Sequence, residues 1–323
     1  MTPPTPAAVD AVLVVGFGGP EGPDEVMPFL RRVTAGRDVP DARLAAVAGR
    51  YEAFGGISPI REQLRDLARH LDHALDLPVY AANRNSGPEL RDVIRRMRDD
   101  GKRRAVVLLM TAYSAPSACR AYRDAVHAAA AKVGDAPILE LARLMHDDEG
   151  FRAPFVDGVR AALAAHPDAS LVLTAHSIPA AQAEVSRYVG QLQDVADHVA
   201  AAVGRDDHAL VWQSRSGPPT VPWLEPDVAS HLTTLAERGV RSVVVVPVGF
   251  TSDHMEVAHD LDIELRAHAE RLGLGFVRVA TPGTDPRYVD ALARSVLNRI
   301  EDPARTGDCC PDGLGCCLVT RGA

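Results

Sequence analysis

Residues 171–179 read LVLTAHSIP, an apolar and β-branched run that ends in Ala175, His176 and Ser177 before Pro179. A histidine there is either a satisfied core residue or a group held at the edge of a site. Its imidazole titrates near neutrality and can accept or return a proton at physiological pH. A second run, SDHMEVAHDLDIE, repeats an acid every four residues at Glu256, Asp260 and Glu264, with His254 just ahead. On a helix these acids line one face, and like charges at that spacing repel. The row is therefore either a solvated acidic face or a track for a divalent cation. Its oxygen and imidazole donors suit iron better than a closed tetrahedral zinc site. If His176 and Glu256 face each other, they form an acid/base pair where the acidic row ends.

Cysteine is the other reactive type. Cys309, Cys310, Cys316 and Cys317 crowd the C-terminal CCPDGLGCC stretch, and Cys119 stands alone in TAYSAPSACRAY. In a reducing compartment such a cluster more often binds metal than forms disulfides. Four thiolates suit an iron–sulfur cluster, and a tail zinc site is the alternative.

The elements that must position these groups follow from the hydropathy pattern. Short β-branched runs alternate with longer amphipathic stretches, the pattern of parallel sheets flanked by helices. Strands are expected at 11–17, 78–83, 104–110 and 137–142, and again at 170–175, 208–213, 242–248 and 275–280. SPIREQLRDLARHLDHAL and GFRAPFVDGVRAALAAH carry helical periodicity. The expected fold is α/β, with two Rossmann-like four-stranded halves and a cleft between them. The halves are set at 1–150 and 151–302, followed by a cysteine-rich tail at 303–323. Open α/β sheets bind ligands beyond the carboxyl ends of their strands, and GFGGPEGP, NRNSGP, TAYSAPSACRAY, AHSIP, WQSRSGPPTVPWLEP and GFTSDHMEVAHDLD all fall there. GFGGPEGP is no dinucleotide fingerprint, because Pro20 and Pro23 have no N–H to offer a phosphate.

Composition narrows the class. The 323 residues carry a formal charge of −8, with 46% hydrophobic and 24% charged residues, as in an acidic globular protein long enough for two domains. Arginines are interspersed with acids, so no basic face for nucleic acid is expected. MTPPTPAAVD lacks the basic and apolar regions of a signal peptide, and no apolar run approaches the roughly 20 residues of a membrane helix. A cytoplasmic protein that does not insert into membrane, probed here as a monomer, is the expectation.

GFGGPEGP, FGGISPI, TAHSIP, VWQSRSGPPTVPWLEPDV and PVGFTSDHMEVAHDLDIE occur in an order and spacing that resembles the ferrochelatase family along nearly the whole chain. The resemblance is closest to its bacterial coproporphyrin branch. It implies two Rossmann-like domains and insertion of ferrous iron into coproporphyrin III with release of two protons. Protoporphyrin, another tetrapyrrole, or non-catalytic haem or metal binding are the alternatives. By the same resemblance His176 and Glu256 are the catalytic and iron-site pair, with His254, Asp260 and Glu264 on an iron path. Arg50, Ser58 and Tyr122 match porphyrin contacts, and Arg37 and Arg84 are weaker candidates. Phe17 stands where some relatives carry an iron-ligating tyrosine, so packing against the ring is expected instead. Trp212 and Trp223 bracket a Pro/Gly loop and lie either against the macrocycle or in the core. REQLRDLARHLDHAL is too charged for the apolar lip of membrane-docked relatives. Some relatives hold a structural 2Fe-2S cluster with one internal and three tail cysteines, which implies Cys119, Cys309, Cys316 and Cys317, with Cys310 as the spare or substitute.

Overall fold

The structure is a computed structural model that describes residues 8–37, 39–218 and 220–302. These residues form two compact units. The first comprises 8–110, 121–143 and 292–302, and the second 111–120 and 144–291.

In the first unit, strands β1 (Ala11–Gly16), β2 (Val79–Asn83), β3 (Arg104–Leu109) and β4 (Ile138–Leu141) form a parallel sheet of order β2-β1-β3-β4. The second unit repeats the plan with β5 (Ser170–His176), β6 (His208–Gln213), β7 (Ser242–Val246) and β8 (Gly275–Arg278), in the order β6-β5-β7-β8. The central strands read as unbroken apolar runs because helices cover both faces of a parallel sheet. Ala11–Val15 and Val243–Val246 are accordingly 0% exposed. Each such valine contributes roughly 1.5–3 kcal/mol of burial.

The helices show the complementary pattern. Ile60–Ala74 buries Ile60, Leu64, Leu67, Ala68 and Leu71, a single stripe at helical spacing, and leaves its charged residues outward. Glu149–Ala165 starts where the Asp148 carboxylate accepts from the Gly150 N–H at 2.8 Å, satisfying one of the orphan donors of a helix start. Residues 57–75 and 150–166, expected to be helical, contain these two helices.

All eight expected strands form, and their ends shift for local reasons. β2 begins after Pro78 and β7 stops before Pro247, since proline cannot donate to a ladder. β5 runs one residue further than expected, so that His176 itself pairs with Gln213 across the sheet. On the other side β7 ends with Val246 opposite Leu173. The chain after β7 folds over the end of β5, and the Gly249 N–H donates to the Thr174 carbonyl at 3.1 Å. Strand order reverses about β5, the position where a doubly wound sheet opens a crevice.

That fold-over needs a residue without a side chain. A Cβ on Gly249 would stand 2.5 Å from the Ala175 Cβ and 2.7 Å from its Cα. Gly249→Ala is therefore expected to lose about 1–3 kcal/mol of stability through overpacking, seen as a lower midpoint in denaturant unfolding.

Candidate active site

His176, the last residue of β5, is fixed from three directions. The Tyr188 hydroxyl donates to its carbonyl at 2.9 Å, and the next N–H, of Ser177, donates to the Gln213 carbonyl at 2.8 Å. Its ring Nδ1 faces the Ser177 carbonyl, which can only accept, so this nitrogen carries a proton. The opposite nitrogen, Nε2, lies 3.4 Å from Glu256 Oε1.

Glu256 sits in the short helix Met255–Ala258, whose first turn is capped by the His254 ring. The Glu256 N–H donates to His254 Nδ1 at 3.1 Å. That bond assigns the neutral His254 tautomer with its proton on Nε2, 4.0 Å from Glu256 Oε2. One carboxylate thus stands between two imidazoles. Burial would push the His176 imidazole down, but the Glu256 carboxylate overrides it. With the Ser177 carbonyl and Asp260 it lifts the His176 pKa to about 9. His254 goes the other way: burial holds it below its ordinary value despite Glu256, helped by the neighbouring charge on His176. Two histidines around one acid are therefore set to opposite protonation states at neutral pH.

Beyond Ala258 the chain departs from the expected single helix. Asp260–Leu265 forms a π-turn, in which the Glu264 N–H reaches back to the His259 carbonyl at 2.9 Å. The expected row of Glu256, Asp260 and Glu264 on one face of one helix is corrected accordingly. Glu256 joins His176 and His254, while Asp260 and Glu264 gather around His259. His259 Nδ1 lies 3.3 Å from Asp260 Oδ1 and 3.8 Å from Glu264 Oε1. Their ligating atoms lie within 4.8 Å of one another, and side-chain exposure rises from 12% at Asp260 to 51% at Glu264.

The end of β6 holds this assembly. Gln213 donates to the Glu256 carbonyl at 2.8 Å and accepts from the Thr174 hydroxyl at 3.2 Å. Ser214 adopts φ 60°, a conformation that costs a non-glycine residue about 1–3 kcal/mol, and its hydroxyl donates to Asp260 Oδ2. His259, Gln213, Ser214 and Tyr188 had no signal in the sequence beyond their places in WQS and AHD. Trp212 is 4% exposed and packs 6.0 Å from Tyr188, so of its two expected places it occupies the core. Trp223 is half-buried, and a Cβ on Gly217 would meet its ring.

In the first unit, Phe17 packs edge-on to Phe29 at 6.1 Å, against the cluster of Val26, Leu30, Leu44 and Ala48. Ser58 is buried, and its N–H donates to the Pro20 carbonyl at 2.9 Å. Arg50 is partly exposed in the helix Asp41–Glu52, and Arg37 is exposed. The Arg84 guanidinium lies over the buried Tyr122 ring at 5.7 Å. It lines a cavity of about 280 Å³ with Arg32, Arg91 and Lys132 against the single acid Glu89. Cys119, in the second unit, is fully buried in the turn Pro116–Arg120, its Sγ 3.7 Å from the Ala115 carbonyl. Cys309, Cys310, Cys316 and Cys317 lie outside the described residues.

Residues 9–300 match the family model described as Ferrochelatase. The chain belongs to the ferrochelatase family. It is 48% identical over 318 residues to the coproporphyrin III ferrochelatase of Mycobacterium marinum, covering 96% of this chain and 93% of that protein. It is 46% identical to the coproporphyrin III ferrochelatase of Nocardia farcinica, over 97% of this chain and 98% of that one. Among solved structures, the sirohydrochlorin chelatase SirB of Bacillus subtilis subspecies spizizenii, in complex with cobalt, aligns with a TM-score of 0.59 at 13% identity. The alignment covers 93% of this chain and 99% of that one, and at that identity it speaks for the fold alone. As a ferrochelatase-family chain, the protein has the expected α/β architecture of two four-stranded parallel sheets flanked by helices.

The His176–Glu256 pair makes a pH prediction. A folded-state pKa of about 9 lies above the ordinary value of about 6.5, so the pair stabilises the fold fully below the lower value. That contribution is lost as pH rises through the higher one. NMR titration of the His176 ring is expected to give a midpoint near the raised value. Glu256→Gln should drop it below the ordinary value, because burial then acts unopposed. A His176 midpoint that Glu256→Gln does not move would count against the pair.

Proposed function

We propose that this protein inserts ferrous iron into coproporphyrin III, with release of two protons, in haem synthesis. The observation that carries the reading is His176 held against Glu256 at 3.4 Å, in a chain closely similar over nearly its full length to proteins named for that reaction.

The chemistry starts from an obstacle. A free-base porphyrin is flat, and two inner N–H protons fill the hole the metal must enter. The ring has to buckle and the protons have to leave, and a site complementary to the buckled ring uses peripheral binding energy for that distortion. At neutral pH His176 is an imidazolium, since its pKa stands at about 9, and an imidazolium cannot accept a proton. What holds that proton is chiefly the Glu256 carboxylate. A ferrous ion arriving at Glu256 cancels the negative charge, releases the His176 proton, and leaves Nε2 free to take one from a pyrrole. Cation and proton thus compete for one carboxylate. His254, kept neutral, adds a donor to the same oxygen pair without adding charge.

His259, Asp260 and Glu264 supply oxygen and nitrogen donors suited to a divalent cation. Their graded exposure supports reading them as the approach to Glu256. For the porphyrin, the first unit offers Phe17 as an apolar contact and Arg50, Ser58 and Tyr122 as partners for propionates. The cation-lined cavity around Arg84 adds positive charge suited to a substrate with four carboxylates. Trp212 acts through Tyr188, whose hydroxyl holds the His176 carbonyl. Among the described residues no helix is long and apolar enough to cross a membrane, and the reaction is placed in the cytoplasm.

Cys119, with Cys309, Cys316 and Cys317 and with Cys310 spare, is assigned to a 2Fe-2S cluster. The fully buried Cys119 Sγ fits that donor set, because a thiolate there needs a neighbouring cation to be stable. The cluster would supply a structural cross-link, and no step of iron insertion depends on it.

Two experiments test the reading. In an anaerobic assay that follows the porphyrin absorption band, His176→Ala and Glu256→Gln should each lower turnover on the order of 10²–10⁴-fold. Coproporphyrin III should be used in preference to protoporphyrin, with its binding largely retained in both variants; normal turnover in His176→Ala would refute the role. Freshly purified, porphyrin-free protein should absorb in the visible and contain iron and sulfide, and Cys119→Ser should lose both. A colourless protein containing zinc decides against the cluster.

A further inference from the structure

Two acids of the second unit are tied together by one arginine that the reaction chemistry leaves unused. Arg278 closes β8, and its side chain is 15% exposed. Nη1 donates to both oxygens of Asp253, at 3.1 and 3.0 Å, while Nε and Nη2 donate to the two oxygens of Asp262, each at 2.8 Å. The Thr281 hydroxyl donates to Asp253 Oδ1 at 2.8 Å. Arg266 meets the same turn, its Nε donating to the Asp262 carbonyl at 3.2 Å.

The positions of the two acids matter more than their number. Asp253 immediately precedes His254, and Asp262 lies in the π-turn between Asp260 and Glu264. The chain they bracket carries His254, Glu256, His259 and Asp260. Its hydrogen bonds to the sheet come through Gln213 and Ser214, which hold its middle; Arg278 holds its ends. A planar guanidinium can grip two carboxylates at once with a fixed angle between them, whereas an ammonium is a point charge that cannot.

We propose that Arg278 is a positioning residue for metal insertion: by gripping Asp253 and Asp262 it fixes where Glu256 and the His259–Asp260–Glu264 group stand relative to His176. The proposal rests on the iron-insertion reading above. It also explains why β8, a short edge strand, ends in a charged residue that turns inward to the loops.

A loss of stability alone would not distinguish positioning from scaffolding, so the test separates iron from porphyrin. Arg278→Lys keeps the charge and loses the fork. Its kcat/KM for ferrous iron should fall on the order of 10- to 100-fold, the scale of a displacement of about 1 Å at a reacting group, while the Kd for coproporphyrin III, read by fluorescence quenching, stays within about twofold of the parent. In Arg278→Ala, added guanidinium should restore part of the iron-dependent rate, and added ammonium should not. Asp262→Asn, nearly isosteric, guards against a misfolded arginine variant and should weaken iron use in the same direction. Unchanged iron kinetics in Arg278→Lys and Asp262→Asn would overturn the assignment, as would equal loss of iron use and porphyrin binding. The parent protein, assayed alongside, separates the two readings. A parent that inserts no iron removes the function and the positioning role together; an active parent with unaffected variants removes only the latter.

Discussion

One carboxylate sets the state of the whole site. Taken out of water, the His176 imidazole would lose its proton near or below neutrality, and only the negative charge of Glu256 reverses that balance. Most of what surrounds the pair serves to keep its members at 3.4 Å. Tyr188 and Gln213 hold the backbone on the His176 side. His254 caps the helix start that carries Glu256, and Gln213 reaches across to the Glu256 carbonyl. A polar network of this kind gains rigidity because each member has a partner, and a missing partner would be costly in so dry a place.

The parallel sheet makes such precision possible at little local cost. β5 is buried along its length, so its register with β6 and β7 is firmly specified, and its last residue emerges at a defined height. Function is then carried by loops that leave a rigid edge. Gly249 lets one of these loops lie directly on β5, and the Pro247 that stops β7 gives that loop its starting point.

This division explains what could be read from the residues alone. Strands such as AVLVV and SVVVV announce themselves, because continuous burial leaves a continuous apolar record, and the helix Ile60–Ala74 announces itself by its stripe. His176 and Glu256 were legible as chemical types at strand and helix starts. Their partnership was not, since it depends on two segments 80 residues apart meeting across a sheet edge. The spacing of Glu256, Asp260 and Glu264 pointed to one helical face, and the π-turn undid that reading while giving His259 a place beside two of the acids. No local propensity marks such a turn. Arg278, Gln213 and Ser214 were hidden for a related reason: an ordinary strand end becomes a clamp only when distant carboxylates arrive at it. The tail cysteines, whose composition is so conspicuous, lie outside the described residues.

The π-turn has a consequence for how this segment can change over time. A turn closed by one additional residue converts to an ordinary helix when a single residue is deleted, and everything beyond the deletion then swings by about 100° around the axis. Asp262 and Glu264 would leave their neighbours together. Substitutions can be tried there one side chain at a time, but a change in length is a single irreversible step for the entire metal-facing surface, so the spacing between His254 and Arg266 is constrained as tightly as the residues themselves.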